Sequence, residues 1–233
     1  MLSSAAPLLL AIDTSTDTAG IGLADGPVCA ELVWPAGRTQ TTSVLDAIDA
    51  LLVRCGRTIA DVGAVGVAVG PGTFTGLRVG LSLAKGFALG RDVSVIGVPT
   101  LAVTSAPFVE AGNEVLAVLP AGRGRVVCAA HAPGAEPGPP RNMAFDEFLH
   151  EAGDRGVLVA GELSAEQRDA LVQSGIPVAT GAASVRRPAV LAELAMRRWR
   201  SGDIDDPATL EPIYVHGVTA TTKPVVDVLR HSS

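Results

Sequence analysis

The sequence predicts an α/β protein in which mixed strands alternate with helices, and three features carry that expectation. Short apolar runs of strand length, Leu8–Ile12, Ala19–Ala24, Val28–Trp34, Ala64–Val69 and Ser94–Val98, are bounded by turn residues. Longer segments with helical spacing lie between and after the later runs. The composition, 48% hydrophobic with 18% charged and 3% aromatic residues, draws mainly on Ala, Val, Leu and Gly, which suits small-residue packing of helices on sheets.

Leu8–Ile12 is continuously apolar and reads as a buried strand. The turn Asp13-Thr14-Ser15-Thr16-Asp17-Thr18 returns it into Ala19–Ala24, and Asp25-Gly26-Pro27 turns again into Val28–Trp34, an antiparallel meander. A helix begins at Thr41 or Thr42 and runs to Cys55, with Val44, Ile48, Leu51, Leu52 and Cys55 on one face and Gly56 at the cap. Thr58–Asp61 has the spacing of a capping turn, and Ala64–Val69 is a short buried strand. Past Gly70-Pro71-Gly72, Thr75 is the expected N-cap of a helix reaching about Leu89 and ended by Gly90. Ser94–Val98 is a strand and Thr100–Pro107 a short helix.

The second half repeats the theme more weakly. Strands are expected at Val115–Leu119 and Arg125–His131 around Ala121-Gly122-Arg123-Gly124, then a surface loop over Pro133–Pro140. A strand at Val157–Ala160, a helix over Ser164–Ser174 with Ser164 and Gln167 as reciprocal caps, and a strand at Pro177–Thr180 follow. The last helix spans Pro188–Ser201 with Val190, Leu191, Leu194 and Ala195 inward. The expected division is a first lobe over 1–105, rejoined by a terminal strand at 210–216, a smaller lobe over 106–205, and a loosely ordered tail over 219–233.

Several function classes fall away. A net charge of −6 disfavours a broad basic surface for nucleic acid, and scarce aromatics disfavour base stacking. Cys29, Cys55 and Cys128 are too scattered for a disulfide framework or a zinc site. His131, His150, His216 and His231 lack metal-ligand spacing, and no Ser or Cys stands in a nucleophile elbow. Glu31, Asp46, Asp49 and Asp61 do not assemble into an acid/base pair, so neither catalytic residues nor a metal site are expected. Arg186-Arg187, Arg197-Arg198 and Arg200 form the one basic cluster, open to a solvated helix face or a phosphate contact. Pro7–Ile12 and Leu77–Leu89 are too short to span a bilayer, and a cytoplasmic protein is expected.

Two motifs can carry chemistry. The turn at Asp13, Thr14 and Ser15 has the shape of a phosphate-binding loop of sugar kinases and actin-like ATPases, in which the Asp holds hydrated magnesium; an ordinary Asx/ST turn fits equally. The loop Gly70, Pro71, Gly72, Thr73, Thr75, Gly76 and Arg78 offers free backbone angles, hydroxyls and a helix N-terminus to an anion, or serves as a rigid connector. It is not a P-loop, since no Gly-Lys-Ser/Thr follows. The helix behind it lines two sides with small residues, Gly76, Gly80 and Ala84 on one and Ser82, Gly86 and Gly90 on the other. Each Gly costs roughly 1 kcal/mol against Ala, so close approach of another element is expected, within the chain or from a second protein.

Together these strings, Leu9-Leu10-Ala11-Ile12-Asp13-Thr14-Ser15, Val69–Gly80, Ala84-Lys85-Gly86-Phe87-Ala88-Leu89 and Gly97-Val98-Pro99-Thr100-Leu101, resemble the TsaB (YeaZ) family densely over residues 8–105. The likeness thins to Val115–Val127 and Glu211-Pro212-Ile213-Tyr214-Val215. It implies an actin-like ATPase (ASKHA, ribonuclease H-like) α/β fold of two lobes. It further implies a non-catalytic accessory subunit, docking and activating the catalytic paralogue TsaD, for threonylcarbamoyl transfer to adenosine 37 of tRNAs reading ANN codons. A TsaE-type ATPase joins through the complex, the chain pairs with a second copy when alone, and tRNA contact is indirect. No cofactor is required by the chain itself; ATP or ADP with magnesium belongs to the complex interface. The implied docking helices carry Leu45, Ile48, Leu52, Gly76, Val79, Gly80, Leu81, Leu83 and Ala84 as interface candidates. Gln40, Pro120-Ala121-Gly122-Arg123 and His216 depart from the family pattern. The alternative is an independent sugar-kinase-like ATPase using Asp13 and the Gly70–Gly76 loop.

Overall fold

The computed structural model describes residues 7–26, 28–36 and 40–215, which divide into two compact units. The first runs to Val98 and regains Arg187–Pro212; the second is Pro99–Arg186, continued from Ile213.

In the first unit, β1 (Leu8–Asp13), β2 (Thr18–Ala24), β3 (Val28–Pro35), β4 (Val62–Gly70) and β5 (Ser94–Pro99) form one sheet in the order β3-β2-β1-β4-β5. β1 is antiparallel to β2 and parallel to β4, so it lies in the middle, and all six of its residues are buried. That position accounts for its unbroken apolar run. Helices α1 (Gln40–Arg54) and α2 (Phe74–Arg91) cover one side of the sheet. On that side Gly80 of α2 stands over Val67 and Ile12. The opposite side takes the last helix among the described residues, α6 (Pro188–Arg200), whose Leu191 and Ala195 lie over Gly66 and whose Pro188 lies over Gly20 and Gly22. Those glycines are small because a Cβ there would press into α6.

This placement of α6 differs from the boundary expected at 106–205. Leu191, Ala192, Leu194, Ala195 and Met196 are buried against β1, β2 and β4, which their apolar spacing alone could not reveal. The carboxylate of Glu31 on β3 accepts from Ala189 N (2.9 Å) and from the Arg187 guanidinium, capping α6 from outside its own sequence. Segment 203–210 then covers the outer edge of β5. Asp205 N donates to Val95 O (2.9 Å), Gly97 N donates to Asp205 Oδ2 (2.7 Å), and Arg198 Nη1 donates to Gly97 O (2.6 Å). An open edge is thereby blunted.

The second unit holds β6 (Val115–Pro120), β7 (Arg125–His131), β8 (Arg141–Ala144) and β9 (Leu158–Gly161) in the order β8-β7-β6-β9. With them are α3 (Thr100–Glu110), α4 (Phe145–Arg155) and α5 (Ala165–Gln173). β8 and α4 escaped the sequence reading: four strand residues and an amphipathic helix around Phe148 lie in a segment without strong punctuation. The strand expected at Pro177–Thr180 is only a single bridge from Val178 to Val159, and α3 continues through Pro107 to Glu110. Residues 213–215 form no strand and do not return to the first lobe. Val215 packs on Leu101, Ala117 and Leu119 of the second unit, and its carbonyl accepts from Asn142 Nδ2 (3.4 Å). His216 and the tail over 219–233 lie outside the described residues.

Candidate functional site

The turn after β1 and the loop after β4 meet at the N-terminus of α2. Asp13, Thr14, Ser15 and Thr16 are all buried, though polar, because each is answered locally. Ser15 N and Ser15 Oγ both donate to Asp13 Oδ1 (2.9 and 2.6 Å). Thr14 Oγ1 donates to Gly76 O (2.7 Å), and Thr73 N donates to Ser15 O (2.7 Å). The structure thus brings Asp13, Thr14, Ser15, Gly72, Thr73 and Gly76 together.

What they form is a closed seam. A Cβ at Gly72 would collide with Ser15 O, and one at Gly76 with Thr14 O. These two glycines serve close backbone approach. Gly70 alone uses a positive φ (113°), before a cis peptide to Pro71. The N-cap of α2 is Thr73, whose Oγ1 accepts from Gly76 N (3.3 Å), rather than Thr75, which is exposed on the first turn. The helix also runs past Gly90 to Arg91 and stops at Asp92, itself left-handed (φ 53°). Arg78 is exposed, its guanidinium carbon 3.7 Å from the centroid of the Phe74 ring. The Thr73 amide in the loop expected to cradle an anion, and one oxygen of Asp13, the residue expected to hold hydrated magnesium, are therefore engaged within the protein itself.

A second feature is the outward side of α1 and α2. Of the interface candidates, Ile48, Leu52, Gly76, Gly80, Leu81 and Ala84 are buried against the sheet and present nothing outward. Their phase is set by the sheet side that each helix covers, which the sequence does not give. Leu45 is exposed, and Val79 and Leu83 are half-buried. The outward apolar residues that the sequence reading missed are Val53, Phe74 and Leu89, respectively 67%, 55% and 81% exposed. Their signal was their offset from the buried positions on each helix. Gly86 and Gly90 also face outward, and a Cβ at either would meet nothing. Of the two small-residue stripes, one is consumed by the fold and the other is open.

The arginine cluster is largely neutralised. Arg186 pairs with Glu162 (2.7 Å), Arg187 with Glu31 (2.6 Å), Arg197 with Glu193 (3.2 Å), and Arg198 with Asp203 and Asp205 (2.6 and 3.2 Å). Hydrogen bonding from Arg198 holds the Asp203 carboxyl below its usual range. His131 is buried on β7, and His150 lies 2.7 Å from Asp146 O on α4. Burial pushes the Cys128 thiol up to about 11. Among the described residues no cluster of His, Cys, Asp and Glu has metal-site geometry, and no helix is long and apolar enough to cross a membrane.

A family model described as TsaD, tRNA N6-adenosine threonylcarbamoyltransferase, matches residues 35–137, the stretch that contains α1 and α2. The tRNA threonylcarbamoyladenosine biosynthesis protein TsaB of Escherichia coli (strain K12) is 38% identical over 94 residues, 40% of each chain. The protein of the same description from Haemophilus influenzae is 38% identical over 113 residues, 47% of this chain and 48% of its own. The chain thus matches about half the length or less of these curated relatives. Among solved structures, an uncharacterized Pseudomonas aeruginosa protein with similarity to peptidase YEAZ superposes with a TM-score of 0.74 at 21% identity, over 90% of this chain and 99% of that one. That likeness concerns the fold, which is the expected actin-like α/β class. With the motif strings over residues 8–105, these findings make the chain similar to proteins of the TsaB (YeaZ) family over its first half.

Proposed function

We propose that this chain is the accessory subunit of a tRNA threonylcarbamoyladenosine-forming assembly, engaging the catalytic paralogue TsaD through the outward side of α1 and α2. On this reading it performs no transfer itself but supports transfer of the threonylcarbamoyl group to adenosine 37 of tRNAs that read ANN codons. The observation that carries it is the pairing of a self-closed seam with an open helix face. Leu45, Val53, Phe74 and Leu89 sit exposed beside Gly86 and Gly90, on helices that pack on one side of the sheet. Such a face gains most of its burial from a second protein. A TsaE-type ATPase joins the complex through TsaD, and tRNA contact is indirect, in keeping with the paired arginines. ATP or ADP with magnesium belongs to the junction of the assembled complex, and a cytoplasmic location follows from the pathway.

Mixing the purified chain with TsaD of the same organism and weighing the product by light scattering tests this. A 1:1 complex that Leu45→Glu with Leu89→Glu abolishes is the expected result; absence of any complex sinks the proposal. The kinase-like alternative predicts ATP turnover by the isolated chain that Asp13→Ala removes. The engagement of Asp13 by Ser15, and of the Thr73 amide by Ser15 O, favours the accessory role.

A further inference from the structure

The two edges of the first sheet are finished differently. At β5 the outer edge is taken by segment 203–210, through Asp205 N on Val95 O and Gly97 N on Asp205 Oδ2. At the other end β3 pairs with β2, and among the described residues no strand pairs with its outer side. Its ladder runs in regular register from Thr18 opposite Pro35 to Leu23 opposite Ala30. Residues 30–35 therefore present an unbroken outward row of backbone N–H and C=O groups.

The usual guards of an open edge are missing from this stretch. Between Ala30 and Trp34 there is no Pro, no Lys and no bulge, and the one charge, Glu31, is spent on Ala189 N and the Arg187 guanidinium. Glu31 thereby points to the α6 side, and Gly20, opposite Val33, meets Pro188 on that side as well. Alternation sets Val33 on the α6 side and Leu32 on the α1 side. They are 38% and 36% exposed, so apolar surface is left uncovered on both faces of one strand. The neighbour that covers it must be extended and apolar on both faces.

The chain carries such a run outside the described residues. Within residues 216–233, Val225-Val226-Asp227-Val228-Leu229 is the run that is apolar on both faces of an extended chain. Its single charge, Asp227, complements Arg187, whose side chain is 60% exposed beside Glu31 on the α6 side of β3. Leu210 stands over Gly97 on β5, and four strand spacings, roughly 19 Å, separate that edge from β3. The 15 residues from Leu210 to Val225 extend to about 50 Å, which spans the sheet with chain to spare.

From this match we infer that residues 225–229 add to the outer side of β3 as a sixth strand of the first sheet. Val226 and Val228 then lie beside Leu32, and Asp227 lies beside Arg187, with Val225 and Leu229 flanking it on the side of Val33. The added strand gives β3 the cover that segment 203–210 gives β5, so both edges are closed to pairing with other chains. The outward residues of α1 and α2 take no part.

Hydrogen–deuterium exchange of the full chain, read by mass spectrometry, tests it. Amides of residues 226–229 and the outward amides of β3 are expected to exchange at least about tenfold more slowly in the native chain than in Val226→Asp with Val228→Asp. Leu32→Lys with Val33→Lys is expected to release residues 226–229 to the same extent. The amides of β1 and β4 report global unfolding and should be unchanged in both variants. Residues 226–229 exchanging at the unstructured rate in the native chain overturn the inference. Protection that the edge variant leaves intact places the run elsewhere and overturns it too. Protected outward amides of β3 beside freely exchanging residues 226–229 assign the edge to residues 1–6 or a second copy, again against it. Protection that grows with protein concentration assigns the run to β3 of a neighbouring molecule and overturns the placement within one chain.

Discussion

The two units of this chain begin with the same ladder and end with different helices. In each sheet the first strand runs antiparallel to the second and parallel to the fourth: β1 with β2 and β4, β6 with β7 and β9. Each of those parallel strands closes on a positive-φ glycine, Gly70 at 113° and Gly161 at 137°. Each following helix opens on a hydroxyl cap, Thr73 or Ser164, that accepts from the amide three residues on. There the likeness stops. The first hairpin turn is buried and bonded to α2, whereas its counterpart Gly122-Arg123-Gly124 is exposed. Helix α2 has 18 residues with six buried, and α5 has nine with only Leu171 buried. The same scaffold therefore makes a stub in one unit and, in the other, a long helix held at its base with a free outer side.

The largest effect should come from breaking the seam. Gly76→Val places a side chain against Thr14 O, which is backbone and cannot move aside. A loss of about 3 kcal/mol or more in urea unfolding is expected, or failure to fold. The counterpart turn is forgiving: Gly122→Ala meets no atom and suffers only its positive φ, about 1 kcal/mol. Equal losses at the two sites would remove the asymmetry between the turns.

A second prediction concerns the second unit alone. His131 on β7 is paired across the ladder with Val115, and its Nδ1 finds no partner. Burial pushes its pKa down from 6.5 to about 4. An unfolded chain takes up a proton below pH 6.5 that the folded one refuses until about pH 4. The stabilisation is thus complete above pH 6.5 and is lost as pH falls toward 4, by roughly 3 kcal/mol over that window. Urea midpoints at pH 7 and pH 4.5 should diverge for the native chain, and His131→Gln should flatten that part of the slope. An unchanged slope would mean that His131 is already open to solvent.

Much of this was legible in the sequence, and the misses have physical causes. Local signals were strong where chemistry is local: the strands around Asp13, the Ser164–Gln167 capping box and Gly56 as a left-handed cap all appear where spacing put them. The boundaries failed where tertiary contact decides. Pro188–Arg200 reads as an amphipathic helix anywhere, and only the glycine-bared strands β2 and β4 select it. The helix pair was recognisable, but not its phase, so six of nine proposed contact residues are inward. The glycine loop looked like an anion cradle because close backbone approach and anion binding ask for the same residues.

A smaller effect tests the caps. Ser164→Ala removes the bond to Gln167 N (3.2 Å) and the purpose of the reciprocal Gln167 Oε1 contact (3.0 Å). A loss of about 1 kcal/mol is expected for this short helix. Thr73→Ala should cost less than that, since the Thr73 amide stays bonded to Ser15 O and α2 is held along six buried positions. Matching losses would imply that burial does little to secure α2.

The smallest effect separates stability from docking most cleanly. Gly86 lies on the outer side of α2, where a Cβ meets nothing within the chain. In isolation Gly86→Ala should therefore stabilise the protein by about 0.5–1 kcal/mol, the ordinary helix preference for alanine. Gly86→Leu should be neutral to slightly stabilising in the same urea experiment, because there is no neighbour to displace. If the outer stripe is small so that a partner helix can approach, the order reverses in the complex. Gly86→Leu then weakens association while the melting midpoint holds or rises. A variant that gains stability and keeps full association would leave that glycine without a role, and the open stripe would no longer distinguish α2 from any long surface helix.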